Sequence, residues 1–162
     1  MILGPIVRKA ALAVHLTTSG GWLGAVIGYL ACDLTVAVSD DPAAVRAAWA
    51  AMGLIAAWAI VPLALVSLAT GLLMALGTRW GLFRHWWVVV SLVLTIVAVV
   101  VLLQETSVIG RGAAIATDPT SPDLHVLAVP PTLPHSIGGL LVLLVIQWLN
   151  VFKPQGLTPY GW

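Results

Sequence analysis

Four long apolar runs, separated by short polar breaks, constrain this chain more than any other feature it carries. A membrane helix needs about 20 predominantly apolar residues, because each adds about 1.5 Å across a hydrocarbon core about 30 Å thick. Runs from Ala10 to Val38, Ala44 to Leu76, Phe83 to Gln104 and Leu133 to Phe152 reach that length. The expected fold is therefore all-α, an integral membrane four-helix bundle in a single transmembrane domain. Composition agrees: the chain is 60% hydrophobic and only 8% charged, whereas a soluble domain carries about 25% charge to keep its surface wet. A lipid bilayer is the expected surrounding.

The breaks between runs are chemically specific. Ser39-Asp40-Asp41-Pro42 reads as a turn and a helix start, with Asp41 as the cap and Pro42 in the first helical position. Gly77-Thr78-Arg79-Trp80-Gly81 closes the second run, which is longer than one bilayer thickness and should tilt, kink near Pro62 or project. Arg8 and Lys9 precede the first run as they would in a signal peptide. That run continues to Val38, past the roughly 7–15 residues of a signal core, so an uncleaved first helix is expected. Residues 106–132, rich in Gly, Ser and Pro, read as one long outer loop folded over the mouth of the bundle.

Charge sets the expected orientation. Arg8, Lys9, Arg79, Arg84 and Lys153 fall on one side of the runs, and Arg46 and Arg111 on the other. Short loops rich in Lys and Arg stay in the cytoplasm. The reading is an up-down-up-down bundle of a bacterial plasma membrane, N-in and C-in, with Trp80, Trp86, Trp87 and Trp148 as an inner aromatic belt. A net charge of +1 gives no footprint for nucleic acid, and the single cysteine, Cys32, excludes an internal disulfide.

The first run has two distinct faces. Gly20, Gly24 and Gly28 recur every four residues, a stripe that lets helices approach closely. It suits packing against another span or a homodimer seam. On the opposite face, at about 100° per residue, Ser19, Trp22, Tyr29 and Asp33 lie within about 40° of His15. Such a polar seam belongs inside the bundle, and ionisable groups there are functional candidates. By depth, His15, His85, Gln147 and Asn150 cluster toward the cytoplasm. Asp33, Arg46, Glu105, His125 and His135 cluster toward the outside, where Asp33 and Arg46 could pair.

The blocks His15-Leu-Thr-Thr-Ser-Gly-Gly-Trp-Leu-Gly-Ala-Val26, Gly77-Thr-Arg-Trp-Gly-Leu-Phe-Arg-His-Trp-Trp87 and Lys153-Pro-Gln-Gly-Leu-Thr-Pro-Tyr-Gly161 resemble a group of small four-span membrane proteins of actinobacteria. The resemblance covers nearly the whole chain apart from the stretch before Pro134, and it implies fold and host rather than an activity. Where such proteins carry Lys, this chain has Ser91, so no membrane-embedded lysine acts here. Four-span bundles with histidines on several helices are also similar, in architecture alone, to the cytochrome b561 type, which holds haem between helices.

Three classes of function follow as expectations. One is a b-type haem protein for electron transfer or quinone-linked redox chemistry, with His15, His85 and His135 as ligands and menaquinone or a larger membrane complex as partner. A weaker one is a metal site from His125, His135, Glu105 and Asp33, which lack a tight ligand spacing. The third is a small transporter, or an accessory or structural subunit without a cofactor, whose seam lines a pathway or holds helices together. Hydrolysis has little support, because Asp33 lies about 27 Å along the helix from His15 and no triad forms.

Overall fold

The computed structural model describes residues 3–78 and 80–161, so Arg79, one of the orienting cations, lies outside the described residues. The described residues form helices α1 (Pro5–Val38), α2 (Pro42–Gly77), α3 (Trp86–Thr117), α4 (Asp123–Leu127) and α5 (Leu133–Phe152). No strand forms among them, and α1, α2, α3 and α5 are each long and apolar enough to cross a membrane.

Local chemistry explains the boundaries. Asp41 accepts a hydrogen bond from the Ala43 N–H at 3.0 Å, and Pro42 fills the first position of α2, where no N–H is needed. Inside α2, Pro62 has no N–H for the Trp58 carbonyl, and its ring crowds that carbonyl. The helix absorbs this with one wide π turn, Ala56–Ile60, just before the proline. The helix does not break, and Trp49, Met52, Ala56, Ile60, Ala64 and Ser67 stay buried through it.

Helix α3 corrects the sequence reading of residues 106–132. Thr106–Thr117 is not loop but the last third of α3, and only residues 118–122 and 128–132 flank the short α4. Gln104-Glu105-Thr106-Ser107 ends the apolar run without ending the helix, because none of these residues disrupts the backbone ladder. It continues until the Asp118 N–H meets the Ala114 carbonyl at 3.1 Å. At about 1.5 Å per residue the 32 residues of α3 extend about 48 Å, well past a hydrocarbon core. The start also moves: α3 begins at Trp86 rather than Phe83, and α1 begins at Pro5, taking Arg8 and Lys9 into the helix.

Close packing uses different glycines from those of the α1 stripe. A Cβ on Gly20, Gly24 or Gly28 would meet nothing within 4 Å, so this stripe packs against no other described element. The close approaches are at Gly53, where a Cβ would lie 2.8 Å from that of Ala113, and at Gly112, whose missing side chain is replaced by the Trp49 ring. Trp49 is fully buried as a result. Gly71 receives the His15 ring in the same way, with Cε1 3.2 Å from a Cβ position.

One end of the bundle is closed by the chain's last residues. Leu3 donates to the Gly77 carbonyl at 2.9 Å, and Thr158 donates from its N–H to Arg84 O at 3.0 Å and from its hydroxyl to Phe83 O. Residues 153–161 thus strap the connection between α2 and α3. At the other end Arg46 donates to the carbonyls of Ala116 (3.1 Å), Asp118 (3.3 Å) and Ser121, and pairs with Asp123 at 3.1 Å. A guanidinium is well suited to the exposed carbonyls at a helix C-terminus. Nearby, the Thr120 hydroxyl and N–H hold the Asp118 carboxyl below its ordinary range.

The two kinds of glycine predict opposite outcomes. Gly112→Val drives a side chain into the Trp49 ring and should cost about 1–3 kcal/mol. Gly24→Ala should be neutral or stabilising by up to about 1 kcal/mol. Unfolding of both variants in detergent, followed by near-ultraviolet circular dichroism, measures the contrast.

Candidate functional site in the bundle interior

The polar face of α1 is turned inward: Trp22 and Tyr29 are buried, Asp33 is 0% exposed, and His15 and Ser19 are half-buried. Two different environments lie along it. At the Asp33 end every polar group is used. Asp33 Oδ1 accepts from the Thr132 N–H at 2.8 Å, and Oδ2 accepts from the hydroxyls of Ser136 at 2.7 Å and Thr132 at 3.1 Å. Since the Thr132 hydroxyl donates to Asp33, the Tyr29 hydroxyl at 2.8 Å is the donor to Thr132. Thr132 is the residue just before α5, so this carboxylate from α1 sits at the positive end of the α5 dipole.

This arrangement corrects the expected Asp33–Arg46 pair. Asp33 is satisfied by neutral donors at the start of α5, and Arg46 by the carbonyls ending α3 and by the Asp123 carboxylate of α4. The four residues considered for a metal are also divided. Glu105 and His135 pair at 3.3 Å, Asp33 is enclosed by its three donors, and His125 is exposed on α4. No group of three or more His, Cys, Asp or Glu suitable for a metal occurs among the described residues.

At the His15 end the four long helices line a partly open cavity of about 360 Å³. Its polar walls come from all four long helices: His15 and Ser19 on α1, Ser67 on α2, Ser91 and Thr95 on α3, and Gln147 and Asn150 on α5. Both hydrogen bonds of the His15 ring use Nδ1, to Ser67 O and Thr70 Oγ1, each at 3.1 Å. A carbonyl can only accept, so Nδ1 carries the proton. In the neutral ring Nε2 is then an unprotonated acceptor. Thr70 in turn donates to Val66 O at 2.7 Å, which leaves its oxygen to receive from His15.

Ser91 is the second unusual wall. It is 7% exposed, and its Oγ is buried without a hydrogen-bond partner. Other helical hydroxyls fold back onto the preceding turn, as Thr18, Ser19, Thr35, Thr95 and Thr117 do to carbonyls four residues earlier. A second cavity, about 290 Å³, lies toward Asp33; it is mainly apolar, with Glu105 and His135 at its edge. Trp22 and Leu143 line both cavities and stand between them.

The three histidines considered for haem are not brought to one centre. His15 lines the first cavity and His135 the second, whereas His85 donates from Nδ1 to the Trp80 carbonyl at 2.8 Å. Because that oxygen is a carbonyl, Nδ1 of His85 is the donor. Trp80 and Trp87, which pack against His85 with ring centroids 5.3 and 6.4 Å away, form the cavity wall in its place. No two of these three histidines line the same cavity. Sequence reasoning missed Ser67, Thr70 and Ser91 as site residues. Their signal was present, since each is a hydroxyl within a long apolar run, but such hydroxyls usually bond within their own helix.

Comparison of the chain with protein-family models, with curated proteins and with solved structures finds no match. The reading of the site therefore rests on its geometry.

Replacing Asp33 tests the closed end. Asp33→Leu leaves the Thr132 N–H and the Ser136 hydroxyl buried without an acceptor and should lose about 2–5 kcal/mol of stability. Asp33→Asn keeps one oxygen and should lose about half as much. Denaturant unfolding in mixed micelles gives both values.

Proposed function

We propose that this chain is a four-span plasma-membrane protein that acts as a small carrier, holding a ligand in the His15 chamber. The observation that carries the reading is a large interior space walled by groups that the fold leaves ready to bond: Nε2 of His15 and Oγ of Ser91. At the Asp33 end of the same helix face the carboxylate and the surrounding hydroxyls are satisfied, as expected where water is scarce. An unmet donor inside a bundle costs about 1–3 kcal/mol. A ligand, with or without water, offsets that cost.

The same proposal places the four spans up-down-up-down with both termini in the cytoplasm. It is supported by the meeting of Leu3 with Gly77 and of Thr158 with Arg84, and by Arg8, Lys9, Arg84 and Lys153 lying toward those ends of their helices. The chamber then opens near the cytoplasmic interface.

A second reading has one observation in its favour. A histidine whose Nδ1–H is held by a carbonyl, with Nε2 left over, is the usual arrangement of an imidazole that ligates a metal. His15 would then hold the iron of a b-type haem, and the chain would pass electrons.

One purification separates the two. Protein from haem-replete cells should show no Soret band with or without dithionite. Native mass spectrometry should show a bound small molecule that is lost when Ser91→Leu fills the chamber. A Soret band that vanishes in His15→Ala would replace the carrier reading with the haem reading, and identical spectra for wild type and Ser91→Leu would remove the carrier reading.

A further inference from the structure

The chamber's walls carry charge of one sign only. Among the described residues Lys153 is the cation in these walls, and none of the six acidic residues contributes: Asp33, Asp40, Asp41, Glu105, Asp118 and Asp123 all lie elsewhere. Lys153 ends α5 in a left-handed conformation, φ 46°, and its Nζ lies 5.2 Å from the centroid of the Trp80 ring, itself part of the wall. A non-glycine residue held at positive φ costs energy that the surrounding contacts must supply. Here the strap of residues 153–161 supplies them. The ammonium is thereby kept at the chamber mouth.

The neutral polar walls favour the same chemistry. Ser91 offers an O–H with no acceptor within the protein. Gln147 and Asn150, one helical turn apart on α5, offer amide N–H groups, whereas the Thr95 hydroxyl is already donated to the Ser91 carbonyl. Together with Lys153 they form a set of donors in search of oxygen acceptors. Nε2 of His15 completes it, accepting from a protonated oxygen or, once protonated, donating to an anionic one.

Shape adds the other half of the ligand. Most of the remaining wall is apolar, and Leu12 and Leu16 belong to the cavity lining while 41% and 56% exposed on the outer surface of the bundle. The chamber therefore reaches the surface that lipid would cover, not only its end. At about 360 Å³ it takes a small head and the first part of a chain, the rest of which lies along the outer surface of the bundle.

We propose that the chamber binds the oxyanion head, carboxylate or phosphate, of a single-chain amphiphile, with the chain leaving between Leu12 and Leu16. The proposal rests on the carrier reading and names the class of its ligand. Ser91 and Lys153 hold the head, and Trp22 with Leu143 forms the floor that stops it short of the second cavity.

The test uses the whole protein in a neutral maltoside detergent and native mass spectrometry. Dodecanoate, lauroyl-lysophosphatidate and zwitterionic lauroyl-lysophosphatidylcholine are titrated separately, with acetate and inorganic phosphate as heads without tails. The expected result is one saturable site that takes the two tailed anions about tenfold or more tighter than the zwitterion. Lys153→Gln should erase that preference. Ser91→Ala, which keeps the backbone and removes one donor, should weaken both anions by about threefold or more.

Equal affinity for the zwitterion and the anions, with Ser91→Ala still weakening all of them, would overturn the charge selection and leave the carrier reading standing. Acetate or phosphate binding as tightly as the tailed probes would overturn the amphiphile and assign a soluble anion. Absence of saturable binding by any probe would overturn the proposal, while the carrier reading stands or falls with the co-purified molecule that Ser91→Leu should displace.

Discussion

Asp33 carries a carboxylate into a place with no solvent and no cation, and the rest of the structure is arranged around meeting its need for donors. Three arrive from the start of α5: the Thr132 N–H, the Thr132 hydroxyl and the Ser136 hydroxyl. A carboxylate that accepts several hydrogen bonds can stay buried where a bare one cannot. Because these donors lie 99 to 103 residues away in the chain, satisfying them fixes α1 against α5 in both rotation and height. That rotation turns Tyr29, Trp22, Ser19 and His15 inward along the same face, at about one residue per helical turn. The closed network at one end and the chamber at the other are two consequences of a single helix orientation.

The ends differ in how completely they are satisfied. Around Asp33 and Arg46, side chains bind backbone carbonyls, hydroxyls and the first residues of α5, and little polar capacity is left. Around His15, hydrogen bonds hold the ring still while leaving one nitrogen outside both of them. Ser91 is buried and unmatched. A fold that satisfies a buried carboxylate with three donors has no difficulty bonding a serine hydroxyl to the turn before it. Trp49 Nε1 is also buried without a partner, but it is sealed in the core, whereas Ser91 lines the chamber, where a bound molecule would meet it. The second cavity lacks this character, since its polar residues bond one another and its walls are otherwise apolar.

Much of the architecture is legible in the sequence because lipid is a demanding solvent. Four runs of about 20 or more apolar residues leave few alternatives to four helices. The inward stripe on α1 follows from period and cost together. Other features depend on facts that hydropathy does not carry. Thr106–Thr117 looks like loop because its residues are polar or small, yet helix formation asks only for a backbone free of obstruction. Gly20, Gly24 and Gly28 look like the packing stripe, whereas Gly53, Gly71 and Gly112 do that packing. Which glycine faces a neighbour depends on helix rotation, and Asp33 sets that rotation. The Asp33–Arg46 pair suggested by opposite charge at similar depth gives way to neutral donors for Asp33 and, for Arg46, to helix-end carbonyls and Asp123. Ser91 and Ser67 could not be told from ordinary back-bonded hydroxyls until their surroundings were known.

The central claim is that the interior around His15 and Ser91 is a chamber reachable from the cytoplasm. It is tested most directly by thiol accessibility in sealed membrane vesicles of either orientation. On a Cys32→Ser background, Ser91→Cys reports on the chamber and Val99→Cys, from the buried core, serves as the control. A charged, membrane-impermeant thiol reagent should modify the cysteine at position 91 when applied to the cytoplasmic face, and leave the one at position 99 unmodified. If position 91 is as unreactive as position 99 from both faces, or reacts only from the outside, the account is contradicted.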